Sequence, residues 1–220
     1  MTKKRVKPPI AKKKPEKLII HGDERIDDYF WLNQRENREV LDYLNAENKY
    51  FEHMTSHTKN LEAKLFKEMR SRIKEDDESV PYKYNGYWYI IKFETGKDYP
   101  IYSRKKESLD AKEELLFDCN EMAKGLDYFK LVGLSVSPDN SMISFGVDTT
   151  GRRQYTIQIK SLITGEIFHD GIKNTTGSAT WANDNKTLFY SKNNEQTLRS
   201  DCIYKHKLGQ TEAQDILVYH

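Results

Sequence analysis

The sequence has no run of about 18 apolar residues to span a bilayer, and its start lacks the roughly 7 to 15 residue apolar core of a secretory signal. No membrane partner is expected, and the expected location is cytoplasmic. Cysteine is scarce: only Cys119 and Cys202 are present. With no C-x-x-C spacing and no histidine cluster beside them, they read as free thiols and not as a zinc or redox centre. The G-x-S-x-G turn that lifts a nucleophilic serine clear of a sheet is absent too. Its nearest approach, GLSVS at Gly133 to Ser137, lacks the second glycine and sits in a strand pattern. The histidines, His21, His53, His57, His169, His206 and His220, show no pattern pairing them with a serine and a carboxylate. No catalytic, cofactor-binding or metal-binding residue is assigned, and no cofactor is expected.

What the sequence holds is a globular composition, 37% hydrophobic with 12% aromatic. The net charge of +2 is unevenly spread: Lys3, Lys4, Arg5, Lys7, Lys12, Lys13, Lys14 and Lys17, against Glu16 alone, give the first 17 residues +7 and leave −5 for the rest. Residues 1–19 read as a basic, disordered leader. Nucleic acid is not an expected partner, because no aromatic residue interleaves these lysines as a stacking platform requires.

From Ile20 to about Asp77 the periodicity is helical. Val40, Leu44, Phe51 and Met54, with Leu41 and Tyr43, form one stripe; Leu61, Leu65, Met69 and Ile73, with Phe66, form another. The junction falls near Ser56 or Thr58, with Asn60 as a candidate cap. Residues 20–78 are thus expected to be a helical extension, ended by the acidic run Glu75 to Glu78 in an exposed loop. His53 and His57 lie four apart on one helix face, but no third ligand or base is suggested nearby, so a metal site is not expected.

After Val80 the pattern becomes β. Three turn dipeptides, Asn85-Gly86, Asp139-Asn140 and Asp184-Asn185, each lead into an alternating apolar strand, YWYIIKF, SMISFGV and KTLFYSK. A second strand follows each (YPIYSRK, QYTIQIKSL, DCIYKHKLG), then a third (EELLFD, GEIFHD, DILVYH). FKLVGLSVS and GSATWAN precede the second and third turns. Four short strands per unit, recurring at about 45 to 55 residues, predict propeller blades. The fold class expected is therefore mainly β: an α-helical N-terminal extension followed, over residues 79–220, by an incomplete β-propeller of about three four-stranded blades. DILVYH stops inside a strand pattern, which predicts a chain cut from something longer. An open arc exposes a blade face, and a non-catalytic binding module is the alternative functional reading.

DDYFWLNQREN at 27 to 37 resembles the D-x-Y-x-W-L stretch of prolyl oligopeptidase family serine peptidases. VPYKYNGYWYIIKFETGKDYPIYSR is similar to that family's first blade. VSPDN, GRRQYTI, Thr164-Gly165, WANDNKTLFY, TLR at 197 to 199 and YKHKLG continue the likeness in order, most closely to the oligopeptidase B branch, also called protease II. The resemblance implies an N-terminal extension, a seven-bladed propeller that gates access, and a C-terminal α/β-hydrolase domain carrying a Ser, Asp, His triad. It further implies hydrolysis of short peptides after Arg or Lys, with the catalytic residues outside these 220 and the chain alone inactive. The partners implied are short peptides and that hydrolase domain. Tyr29, Trp31 and Leu32 would then dock chiefly on the hydrolase domain; covering the local helices is the other reading. Arg152 and Arg153, after Gly151 at a turn, are candidates for ion pairs with that domain or a solvated hairpin tip. The strip Tyr82, Tyr84, Tyr87, Trp88, Tyr89 reads as cross-strand packing before it reads as a ligand-stacking surface.

Overall fold

Antiparallel pairing across short turns builds most of this chain, and the computed structural model describes residues 6–194, 197 and 199–220. They fall into two compact units, one up to Ile73 and one spanning Lys74–His220. Lys3, Lys4 and Arg5 of the leader and Leu198 of the TLR stretch lie outside the described residues. No helix among those described is long and apolar enough to cross a membrane.

In the first unit the expected helical pattern from Ile20 is displaced by a hairpin. Strands β1 (Glu16–Ile20) and β2 (Asp23–Asp27) pair antiparallel about His21-Gly22, both at positive φ, 54° and 83°. Helix α1 (Arg38–Thr55) begins only after Asn37, whose side chain accepts from the Glu39 N–H at 2.9 Å. A 3-10 turn, Ser56–Thr58, leads into α2 (Lys59–Ser71), so Asn60 lies inside the helix and does not cap it.

The leader is engaged where a solvated tail was expected. The Lys14 N–H donates to the Asp28 carbonyl at 2.8 Å, and Lys12 and Lys14 both pair with Glu39. The Trp31 indole N–H donates to the Lys12 carbonyl at 3.0 Å, and the Lys14 ammonium sits 4.5 Å above the ring. Trp31 is 5% exposed. Its partners are therefore local, which corrects the expectation that it docks on a further domain; neighbouring Tyr29 stays exposed. Val40 is buried and Tyr43 half-buried, but the rest of both helical stripes is open, from 44% at Leu65 to 66% at Ile73.

The second unit starts with β3 (Asp77–Glu78) and β4 (Tyr82–Tyr84), which lie end to end along one edge of β5 (Tyr87–Phe93). Part of the acidic run is thus a strand and not a loop. Lys92 offsets its charge, 3.8 Å from Glu78 and 2.7 Å from Glu113. Strands β6 (Ile101–Lys106) and β7 (Glu113–Asp118) complete the first blade, and a helical turn, α3 (Cys119–Met122), leaves it. Next come β8 (Lys130–Val136), β9 (Met142–Asp148), β10 (Tyr155–Ser161), β11 (Ile167–Trp181), β12 (Thr187–Lys192), β13 (Cys202–Lys207) and β14 (Ile216–Tyr219), hydrogen-bonded in that order.

Strand β11 replaces the two strands expected there. Up to Thr175 it pairs with β10, closing the second blade, and from Thr175 to Trp181 it pairs with β12, opening the third. The changeover lies at Gly177, φ 87°. There the backbone presses on the second blade: a Cβ on Gly146 would lie 2.3 Å from the Gly177 carbonyl oxygen, and one on Gly133 only 2.1 Å from it. No L side chain fits such a gap.

Apolar layers fill the spaces between blades. Tyr89, Leu116, Phe117, Leu131, Ile143 and Phe145 are buried between the first two. The Lys160 ammonium crosses that seam to the Leu116 carbonyl at 2.7 Å, and burial holds its pKa below the usual value. Ile157, Ile159, Ile172, Trp181, Leu188 and Tyr190 fill the next, where the Trp181 indole N–H donates to the Ser135 carbonyl at 2.9 Å. The three predicted turns also meet. The Asn85 amide donates to the Pro138 carbonyl at 2.7 Å, and the Asp139 N–H donates to Asn185 Oδ1 at 3.0 Å.

Replacing Gly146 with Ala is expected to lower unfolding free energy by about 1–3 kcal/mol, because backbone must move to admit the methyl. Urea denaturation of the chain checks this, and an unchanged midpoint would count against the glycine contact.

Candidate functional site

The residues most shaped for contact lie in the loop joining β9 to β10. Asp148, the last residue of β9, is 1% exposed. Its Oδ1 accepts from the Thr150 N–H and hydroxyl, both at 2.8 Å, and from the Gly151 N–H at 3.2 Å. Its Oδ2 accepts from the Arg153 N–H at 2.8 Å. Burial works against ionising this carboxyl, but the Thr150, Arg153 and Gly151 donors outweigh it and hold the pKa below the ordinary 3.8. Those bonds fix two left-handed residues, Gly151 at φ 74° and Arg153 at φ 57°, a conformation that costs a non-glycine residue energy. The result is a rigid loop presenting Arg152 and Arg153 to solvent. Neither guanidinium has an ion-pair partner among the described residues.

The serines and histidines weighed in the sequence are placed elsewhere. Ser137 is fully buried; its hydroxyl donates to Asp139 at 2.6 Å and accepts from the Met142 N–H at 2.9 Å, closing a turn. His206 is buried at the third blade, with Nδ1 2.7 Å from Asp215 Oδ1. The other Asp215 oxygen accepts from the Tyr190 hydroxyl at 2.8 Å, so this His–Asp pair ends on a phenol and not on a serine. His206 Nε2 meets no partner among the described residues. Burial, then Asp215, pushes the Tyr190 phenol far above its ordinary value. Tyr190, His206 and Asp215 tie β12 and β13 to the segment entering β14. His57 bonds back to the Met54 carbonyl at 3.0 Å, and the described residues bring no third ligand to His53 and His57. The side chain of His169 lies outside the described residues.

The aromatic strip packs across strands. Tyr82 stacks on Tyr89, ring centroids 5.2 Å apart, and Tyr84 pairs with Tyr87. Tyr82, Tyr84, Tyr89 and Tyr102 also line a cavity of about 330 Å³ beside Leu134 and Ile143. Sequence alternation signals the packing; the cavity depends on how two blades lean together and has no sequence signature.

Three four-stranded blades in series, the second and third sharing the continuous strand β11, with apolar layers between them, define a propeller domain. Residues 8–220 match the family model for the prolyl oligopeptidase N-terminal beta-propeller domain. The chain belongs to the prolyl oligopeptidase family. It is 43% identical to dipeptidyl aminopeptidase BI of Pseudoxanthomonas mexicana over 96% of its own length and 32% of that protein. It is 33% identical to protease 2 of Moraxella lacunata over 97% of its length and 32% of that protein. Among solved structures it superposes on oligopeptidase B from Leishmania major with TM-score 0.88 and 30% identity, covering 98% of this chain and 33% of that one. The chain thus spans about a third of the length of the relatives it matches.

Replacing Asp148 with Asn is expected to cost about 1.5–3 kcal/mol near neutral pH, the scale of hydrogen bonds to a charged group. Because folding depresses this pKa, the anion's contribution is fully present above the ordinary carboxylate value and lost as pH falls through the depressed one. The stability gap between wild type and Asp148→Asn should therefore narrow in acid; a gap constant from neutral pH down to acid would contradict the cage.

Proposed function

We propose that this chain supplies the N-terminal and propeller part of a serine oligopeptidase of the oligopeptidase B type, acting on short peptides after Arg or Lys in the cytoplasm. The observation that carries the reading is the likeness to Leishmania major oligopeptidase B along nearly the whole chain. Unpaired Cys119 and Cys202 agree with a reducing compartment. In this reading the catalytic Ser, His and Asp come from an α/β-hydrolase domain outside these residues. The serine attacks the peptide carbonyl, the histidine carries its proton to the leaving amine, and backbone N–H groups hold the oxyanion.

The propeller's role is to admit flexible peptides and exclude folded ones. The −5 charge of residues 18–220 favours cationic peptides by long-range attraction. Two surfaces suit the hydrolase domain as partner: the open apolar stripes of α1 and α2, and the Arg152–Arg153 loop, which would pair with its carboxylates. A second reading has a specific observation behind it. The 43% identity to a dipeptidyl aminopeptidase favours release of dipeptides from free amino ends over internal cleavage.

Expressing the chain together with its downstream sequence and offering amino-blocked and free-amino reporters ending in Arg or Lys separates the two. Cleavage of the blocked reporter, lost when the downstream nucleophilic serine is replaced, supports the oligopeptidase; cleavage of the free form alone supports the aminopeptidase; no cleavage of either overturns both. In the same protein Arg153→Glu is expected to change the salt dependence of kcat/KM by weakening domain closure. Identical kinetics across ionic strength would dispose of the arginine contact.

A further inference from the structure

We propose that Asp201, Cys202 and His220 form a binding site for a borderline divalent cation, with zinc the ion that fits. Strands β13 and β14 pair antiparallel with Ile203 opposite Tyr219, which brings Cys202 and His220 to the same end of the sheet. The carboxylate, thiol and imidazole donor atoms lie within 4.8 Å of one another, and Cys202 Sγ is 3.5 Å from Asp201 Oδ1. Tetrahedral zinc, with bonds of about 2.0–2.3 Å, sets its ligands roughly 3.3–3.8 Å apart. Closing the trio around an ion therefore shortens any donor separation by at most about 1.5 Å, by the same geometry. Asp201 and His220 are exposed and Cys202 is half-buried, so no tight packing opposes it.

The donor set selects the ion. Magnesium and calcium take oxygen ligands, whereas thiolate with imidazole suits zinc, and three protein ligands leave a fourth position for water. Binding replaces the thiol proton: the S–H bond breaks, a zinc–sulfur bond forms, and one proton leaves to solvent. The ion would clip β14, whose Ile216, Leu217, Val218 and Tyr219 are all exposed, to β13. Cysteine spacing cannot show this site, because its histidine comes from the paired strand and not from a neighbouring position.

The test is a titration of the tag-free chain with cobalt(II), then with zinc against a chromophoric chelator. One equivalent of cobalt should produce a near-ultraviolet thiolate-to-metal charge-transfer band that zinc bleaches. Cys202→Ser should abolish the band, and His220→Ala should weaken zinc binding by roughly tenfold or more, the least expected from losing a ligand. His53→Ala, remote in sequence from the trio, should leave both readouts unchanged, and circular dichroism confirms that each variant is folded. Absence of the band, or zinc binding that survives Cys202→Ser with undiminished affinity, overturns the site.

Discussion

Backbone-to-backbone contact at Gly133, Gly146 and Gly177 is the constraint on which the β-rich unit depends. Where these glycines meet, β11 leaves its pairing with β10 and begins pairing with β12 without a break in the strand. The close approach brings Trp181 over β8, where its indole reaches the Ser135 carbonyl and its ring joins the second apolar layer. Side chains at these three positions would hold the strand away and open a void that the surrounding isoleucines could not close. Buried polar groups then set the details. Thr175, fully buried at the changeover, donates to the Tyr155 carbonyl and accepts from the Gly177 N–H.

The helical unit works on a different principle. Its secure features are local and charge-assisted: Trp31 under Lys14, Lys12 and Lys14 on Glu39, and a capped α1. Its apolar stripes gain nothing from these contacts. Helices of this length owe most of their stability in water to burying one face, yet most of the apolar side chains on α1 and α2 are exposed.

Much of the fold was legible because the chemistry of turns is local. Asn85, Asn140 and Asn185 adopt the positive φ that their turns require, and each leads into the strand expected after it, β5, β9 and β12. What escaped depended on partners far along the chain. The Gly171 to Gly177 stretch reads as a break between strands, yet pairing first with β10 and then, from Thr175, with β12 carries one strand through it. His21-Gly22 is a weak turn signal beside Asn-Gly, so the first hairpin was hidden under a helical period. At the candidate site, Arg152 and Arg153 stood out as charges after a glycine. The role of Asp148 was invisible, since nothing in the sequence marks its carboxylate as buried, and Tyr190, His206 and Asp215 meet only through strand pairing.

The continuity of β11 also makes the joints between blades mechanically unequal. The second and third blades share one covalently unbroken strand, paired first with β10 and then with β12 and pressed on the second blade at Gly177, so separating them means bending that strand out of its glycine contacts. The first and second are linked by the chain from Cys119 to Phe129 and by side chains such as Lys160 and Asn85. Any breathing of the arc will concentrate at that softer first joint, beside the tyrosine-lined cavity, and the other two blades will swing as one stiff plate.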